Sequence, residues 1–344
     1  MSPSARRTHI LVSAAILAIF VGTCAAIDFA SGSARVAQWF DDWGEARARK
    51  INRAYVHEGV FGEQLHGLLL IDAPQMNYEQ GGVYFFGSSN LVFAAQFNDL
   101  PAEQSKYLHC YGFPSANPTE CLQFIRYFEQ ADGFLRRGAS RTCVVIALSE
   151  NDLLGLPAEG WYIPSALPDM QVFDYDPGQG VLTVPMPQWK RAYLIRKLRW
   201  NDLMSQIPRM HNGLPPPRLD RPGFDAEIKR LLTANLPGAT EQQVKDVQAI
   251  LDYVQSRGAH AAVVRLPAGT WSLGTPFDDA FRKNIPQMCA ARGVPFLDLS
   301  RLLSDEEFMD AHHPTFLGAE KVRDEMVKFA LTQLHAMGVQ AEEH

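Results

Sequence analysis

The chain has no surplus of basic charge. Its 344 residues hold 32 Lys and Arg against 38 Asp and Glu, a net charge of −6. That balance leaves no electrostatic footprint for a nucleic-acid partner. Cysteine is scarce, five in all, and no two stand in a Cys-x-x-Cys pair. His-Glu-x-x-His is also missing. Neither metal motif is therefore present, and the reading calls for no metal and no cofactor. No internal repeat is visible, which argues against a solenoid or a propeller. What remains is 47% hydrophobic and 20% charged, a normal globular balance. The length suits one large domain or two ordinary ones.

The N-terminus departs from that balance. Arg6 and Arg7 precede an uncharged apolar stretch from Ile10 to about Ala26, which Asp28 ends. Its length falls between a signal-peptide core and a membrane span. The leading reading is an uncleaved anchor. A cleaved signal would use the small residues Thr23, Cys24, Ala25 and Ala26. A lipoprotein would use Val21-Gly22-Thr23-Cys24, where Thr fits the box poorly. All three put the rest of the chain outside the cytoplasm, because the Arg pair stays inside. The anchor reading gives a single-pass protein of the inner membrane, with its main part periplasmic or extracellular. It divides the chain into a tip and spanning helix (1–30), a juxtamembrane helical segment (31–80) and a main domain (81–344). An oxidising compartment would permit a Cys110–Cys121 bridge. The other reading makes Cys110, Cys143 and Cys289 small core residues.

Residues 32–56 read as a charged helix with Val36, Trp39, Phe40 and Trp43 on one face. From Gly81 strands and helices alternate. Strands are expected at Val83–Phe86, Tyr107–Tyr111, Cys143–Leu148, Ala261–Leu266 and Val294–Leu299. Helices are expected at Leu91–Phe97, from Pro118, around Val244–Val254, at Phe277–Arg292 and through Val322–Ala330. The pattern breaks between about 154 and 238, a Pro-rich stretch read as an insertion or lid with one helical piece at Trp189–Met204. Such alternation argues a parallel α/β sheet with helices on both faces. Ligands bind such sheets beyond the carboxyl ends of the strands.

Four blocks fall on that edge. Gly87-Ser88-Ser89 follows the first strand, Gly112 to Ser115 the second, Ser149 to Asp152 the third, and Asp310 to His313 the last. A Ser, a His and an Asp in reach of one another make a triad, recognised by geometry and not by order. Three of the blocks also have a plainer reading. Ser88 or Ser89 could simply cap a helix. Asp310, His312 and His313 could be surface residues near a helix start. Asn151 could be a turn residue, or its amide could donate to an oxyanion.

With these blocks the chain resembles the SGNH (GDSL-type) hydrolase superfamily. Gly87-Ser88-Ser89 matches the family's Gly-Asp-Ser, which puts the nucleophile on Ser89. Ser149-Glu150-Asn151-Asp152 matches Gly-x-Asn-Asp, with Ser in place of Gly. Asp310 to Pro314 matches Asp-x-x-His-Pro and selects His313 over His312, which is left to point to the surface. Gly318 stands where the family often has Gly. The resemblance implies a flavodoxin-like three-layer sandwich. It implies an oxyanion hole from the Ser89 N–H, Gly112 or Ser115, and Asn151. The change to Gly-Ser-Ser resembles the membrane-anchored branch, whose members work beside membrane-bound O-acyltransferases. That branch implies a serine esterase or O-acyltransferase acting on a cell-surface or exported polysaccharide. A secreted stand-alone lipase or esterase, and a non-catalytic scaffold of the same fold, stay open as alternatives.

Overall fold

The computed structural model describes residues 3–51, 76–95, 97, 100–113, 116–153, 173–176, 180–183, 187–212 and 239–339. Its centre is a sheet of five strands: β1 (Gly82–Gly87), β2 (Leu108–Gly112), β3 (Thr142–Leu148), β4 (His260–Arg265) and β5 (Phe296–Asp298). All pair in parallel, in the order β2-β1-β3-β4-β5. That is the flavodoxin-like order.

Alternate residues of each strand face opposite layers. Tyr84, Phe86, Val144, Ile146 and Val263 join one buried cluster. Val83, Phe85, Val145, Ala147 and Val264 join the other. The first cluster packs under α5 (Pro118–Asp132), α8 (Ala239–Ser256) and α9 (Pro276–Ala291). The second packs under α3 (Ser89–Ala94) and α10 (Phe316–Ala336). A short helix, α4 (Ala102–Ser105), precedes β2, and α6 (Phe134–Gly138) follows α5. The α5 start is fixed by sequence: Asn117 and Glu120 form a capping box around Pro118.

The N-terminal stretch forms α1 (Pro3–Ser31) and α2 (Ala34–Lys50). From Arg6 to Ser31, α1 is long and apolar enough to cross a membrane. α2 ends at Lys50 with Ile51 as its C-cap, and residues 52–56 of the expected helix lie outside the described residues. In the insertion, α7 (Gln188–Asn212) is longer than expected, and Phe173–Asp176 pairs antiparallel with Gly180–Thr183, which the sequence reading missed. Leu194 and Leu198 of α7 enter the cluster under α5 and α8. This helix therefore flanks the sandwich. Segments 154–172, 177–179, 184–186 and 213–238 of the expected lid lie outside the described residues.

The Cys110–Cys121 bridge does not form. The sheet separates the two residues: Cys121 is buried in the α5 layer, and Cys110 packs against the cluster of the opposite face.

Candidate active site

The chain leaves β1 through Gly87. A Cβ there would lie 2.5 Å from the Ala147 carbonyl oxygen on β3, so the strand end tolerates no side chain. Ser88 follows in extended backbone as the N-cap of α3, its hydroxyl accepting the Asn90 N–H at 3.3 Å. The helix thus begins at Ser89, two residues before the expected start. The cap fixes the roles available to the two serines. Ser88 is buried and turned back to its own helix, and Ser89 is half-buried at its first position.

Ser89 Oγ lies 2.9 Å from His313 Nε2. On the other side of the ring, His313 Nδ1 lies 2.8 Å from Asp310 Oδ2. An ionised carboxylate can only accept, so Nδ1 carries the proton and donates it. The neutral ring then presents Nε2 as an acceptor to the Ser89 hydroxyl. Asp310 Oδ1 accepts the backbone N–H groups of His312 at 3.0 Å and His313 at 2.8 Å. Burial pushes the Asp310 carboxyl up. The hydrogen bond from His313, the charge that His313 and His312 carry when protonated, and the His312 N–H outweigh this and hold it well below the usual carboxylate range.

The loop carrying Asp310 and His313 is pinned from several sides. Phe308 and Pro314 form an antiparallel bridge, and the Met309 N–H donates to the His313 carbonyl at 2.7 Å. Thr315 caps α10 by accepting the Gly318 N–H. A Cβ on Gly318 would meet the Glu307 carbonyl oxygen at 2.7 Å, which explains a glycine there. Trp271, on the loop after β4, donates its indole N–H to the Ala311 carbonyl at 2.8 Å. Phe93, on the second turn of α3, sets its ring 4.5 Å from that of His313. His312 does not point away to the surface. It is half-buried, with its ring centroid 4.2 Å from His313. Asp310, His312 and His313 hold possible metal-ligand atoms within 4.8 Å of one another. Two of the three are engaged with each other and with Ser89, so a cation there would compete with that hydrogen bond.

Of the candidate oxyanion donors, Gly112 ends β2, where a Cβ would lie 2.3 Å from Val92 Cγ2. The missing side chain lets α3, and Ser89 with it, approach the edge of β2. Ser115 and the Asn151 side chain lie outside what the structure describes. The Asn151 backbone belongs to a short 3-10 turn, Glu150–Leu153, at the end of β3. Two residues of this region had been given no role. Asn90 donates its side-chain amide to Ser149 Oγ at 2.8 Å. Asp152 accepts the Ser149 N–H at 2.7 Å and its hydroxyl at 3.0 Å. Ser149 thus ties the third block to the helix that carries Ser89.

No protein-family model and no curated protein matches the chain. Among solved structures, a candidate acylhydrolase of Bacteroides fragilis is similar over 79% of this chain and 96% of its own, at 11% identity and a TM-score of 0.42. A candidate arylesterase of Agrobacterium tumefaciens is similar over 73% and 99%, at 11% identity and a TM-score of 0.35.

Proposed function

We propose that this chain is a membrane-anchored extracytoplasmic serine esterase or O-acyltransferase of the SGNH type. The observation that carries the reading is the continuous chain of hydrogen bonds from Ser89 through His313 to Asp310. In the first half-reaction the Ser89 hydroxyl gives its proton to His313 Nε2 as Oγ bonds to the ester carbonyl carbon. Asp310 keeps the proton on Nδ1 and offsets the imidazolium charge. The Ser89 N–H, Gly112 and Asn151 are the proposed donors to the oxyanion, each worth about 3–4 kcal/mol of barrier. Collapse breaks the bond to the leaving alcohol, which takes the proton back from His313 and leaves an acyl-Ser89. Water or a sugar hydroxyl then reverses the steps.

The proposed acceptor is a cell-surface or exported polysaccharide, with a membrane-bound O-acyltransferase as donor partner. Support comes from α1, from the Arg6-Arg7 pair before it, and from the Gly-Ser-Ser block. The half-burial of Ser89 and His313 suits a site open to a polymer chain.

Covalent labelling with a fluorophosphonate tests the chemistry. Wild type and Ser88→Ala are expected to label, and Ser89→Ala is expected not to. Labelling that persists in Ser89→Ala and vanishes in Ser88→Ala would reverse the assignment. No labelling of the folded wild type would favour a scaffold. A mature chain beginning at or after Cys24 would favour a free secreted esterase.

A further inference from the structure

The helix α7 stands beside α1 at the end of its apolar stretch. Arg196 Nε pairs with Asp28 Oδ1 at 2.6 Å, and Asp28 is the first charged residue after that stretch. A Cβ on Gly32 would lie 3.8 Å from Arg199 Nη1. Both chains therefore advance in the same direction along this contact. Trp189, seven residues before Arg196, lies about 10 Å further towards the apolar segment at about 1.5 Å per residue.

The two faces of α7 differ in kind. Leu194 and Leu198 are buried in the domain core. On a separate stripe Trp189, Tyr193 and Met204 are 72%, 60% and 52% exposed. Apart from α1, α2 and the adjoining Ile51, these three and Leu317 are the exposed large apolar side chains among the described residues. Lys197 and Arg199 stand exposed on the same helix, and no acidic residue occurs between Gln188 and Asn201. An apolar ridge with Trp and Tyr, flanked by bases and level with the end of a spanning helix, has the chemistry of a bilayer interface. Water alone gives no reason for such a face.

We propose that the first turns of α7 lie in the outer-leaflet interface, with Trp189 and Tyr193 among the headgroups and Lys197 and Arg199 on anionic phospholipid. This rests on the reading of α1 as an uncleaved anchor. The occupant is a lipid surface because the ridge is continuous with α1 and its flanks are cationic.

The full-length chain in nanodiscs of phosphatidylcholine and phosphatidylglycerol tests this. The apolar helix contains no tryptophan, so quenching by brominated lipid reports residues outside it. Quenching is expected, with most of it lost in Trp189→Phe and kept in Trp39→Phe. Lys197→Gln with Arg199→Gln should lower it in discs containing phosphatidylglycerol and leave it unchanged in pure phosphatidylcholine. Quenching equal in wild type and Trp189→Phe, in a chain that resists carbonate extraction, overturns the proposal and leaves the anchor standing. A cleaved, carbonate-extractable chain overturns both. A charge effect equal in both lipids overturns the assignment to anionic headgroups.

Discussion

Asp310→Asn changes one atom in kind and almost nothing in shape. Its outcome follows from the two backbone donors at Oδ1. The N–H groups of His312 and His313 require an acceptor at that position. The asparagine carbonyl must therefore take it, and the amide NH2 is left facing His313 Nδ1. Turning the amide over would press its hydrogens against two N–H groups. With a donor opposite, Nδ1 must accept, and the ring proton moves to Nε2, where it faces Ser89 Oγ. The base is then blocked without being displaced. Loss of the correct tautomer in a Ser-His-Asp site costs about 10⁴-fold in kcat, or about 5 kcal/mol of barrier. Hydrolysis of p-nitrophenyl acetate reads this directly. The fold should survive, because both backbone bonds keep an acceptor. The native site also holds the carboxyl below its ordinary pKa. A group whose native pKa is lowered adds stability above its unfolded value of about 4, and loses it as the pH falls through the native value. The wild type should therefore exceed the variant in urea stability at neutral pH and converge with it in acid. A kcat loss below about tenfold, in a folded variant, would refute the tautomer reasoning.

His313→Ala should lose several powers of ten in turnover, and His312→Ala about tenfold or less, since its backbone N–H to Asp310 survives the change and its ring does not reach Ser89 in the hydrogen-bond chain; equal losses would remove the distinction. Asn90→Ala should cost about 1–3 kcal/mol in urea unfolding, because a buried polar contact to Ser149 is broken, and an unchanged midpoint would show that link to be idle. Gly112→Ala puts a methyl into Val92 and should lower kcat by displacing α3. Adding Val92→Ala should restore much of it, and a double variant no better than the single one would contradict the contact.

The central strands were legible because β1 and β3 are buried along their whole length and read as apolar runs, as at Cys143–Leu148. The carboxyl edge was legible from that alternation alone. The start of α3 was harder, because Ser88 and Ser89 are equally good caps by composition. Only the fold shows that Ser88 turns to Asn90 and Ser89 towards His313. Trp271 and Asn90 were not legible. Their partners lie 40 and 59 residues away, and no periodicity or local motif marks a contact of that span. The antiparallel pair in the insertion has only four residues in each strand, too few to show an alternation. Cys110 and Cys121 looked close in sequence because only a loop parts them. The sheet between them is a tertiary fact.

The way α2 joins the domain bears on what the site can reach. Its 17 residues span about 25 Å. The helix begins just after α1 ends, across Gly32 and Ser33. Its last turn ends on α10, whose cap, Thr315, is two residues past His313. There Arg49 pairs with Glu320 at 2.7 Å and stacks 4.8 Å from the Phe316 ring centroid, and Ala48 is fully buried against Phe316. The exposed ion pair contributes little by itself. The Ala48–Phe316 contact and the guanidinium on the ring hold the seam. If α1 spans the membrane, α2 is a strut between the bilayer and the helix that carries the His313 loop. On the proposed function, α2 then links the membrane end of α1 to the helix that follows the His313 loop. The proposed polymer acceptor would then approach the site from the outer side of the membrane.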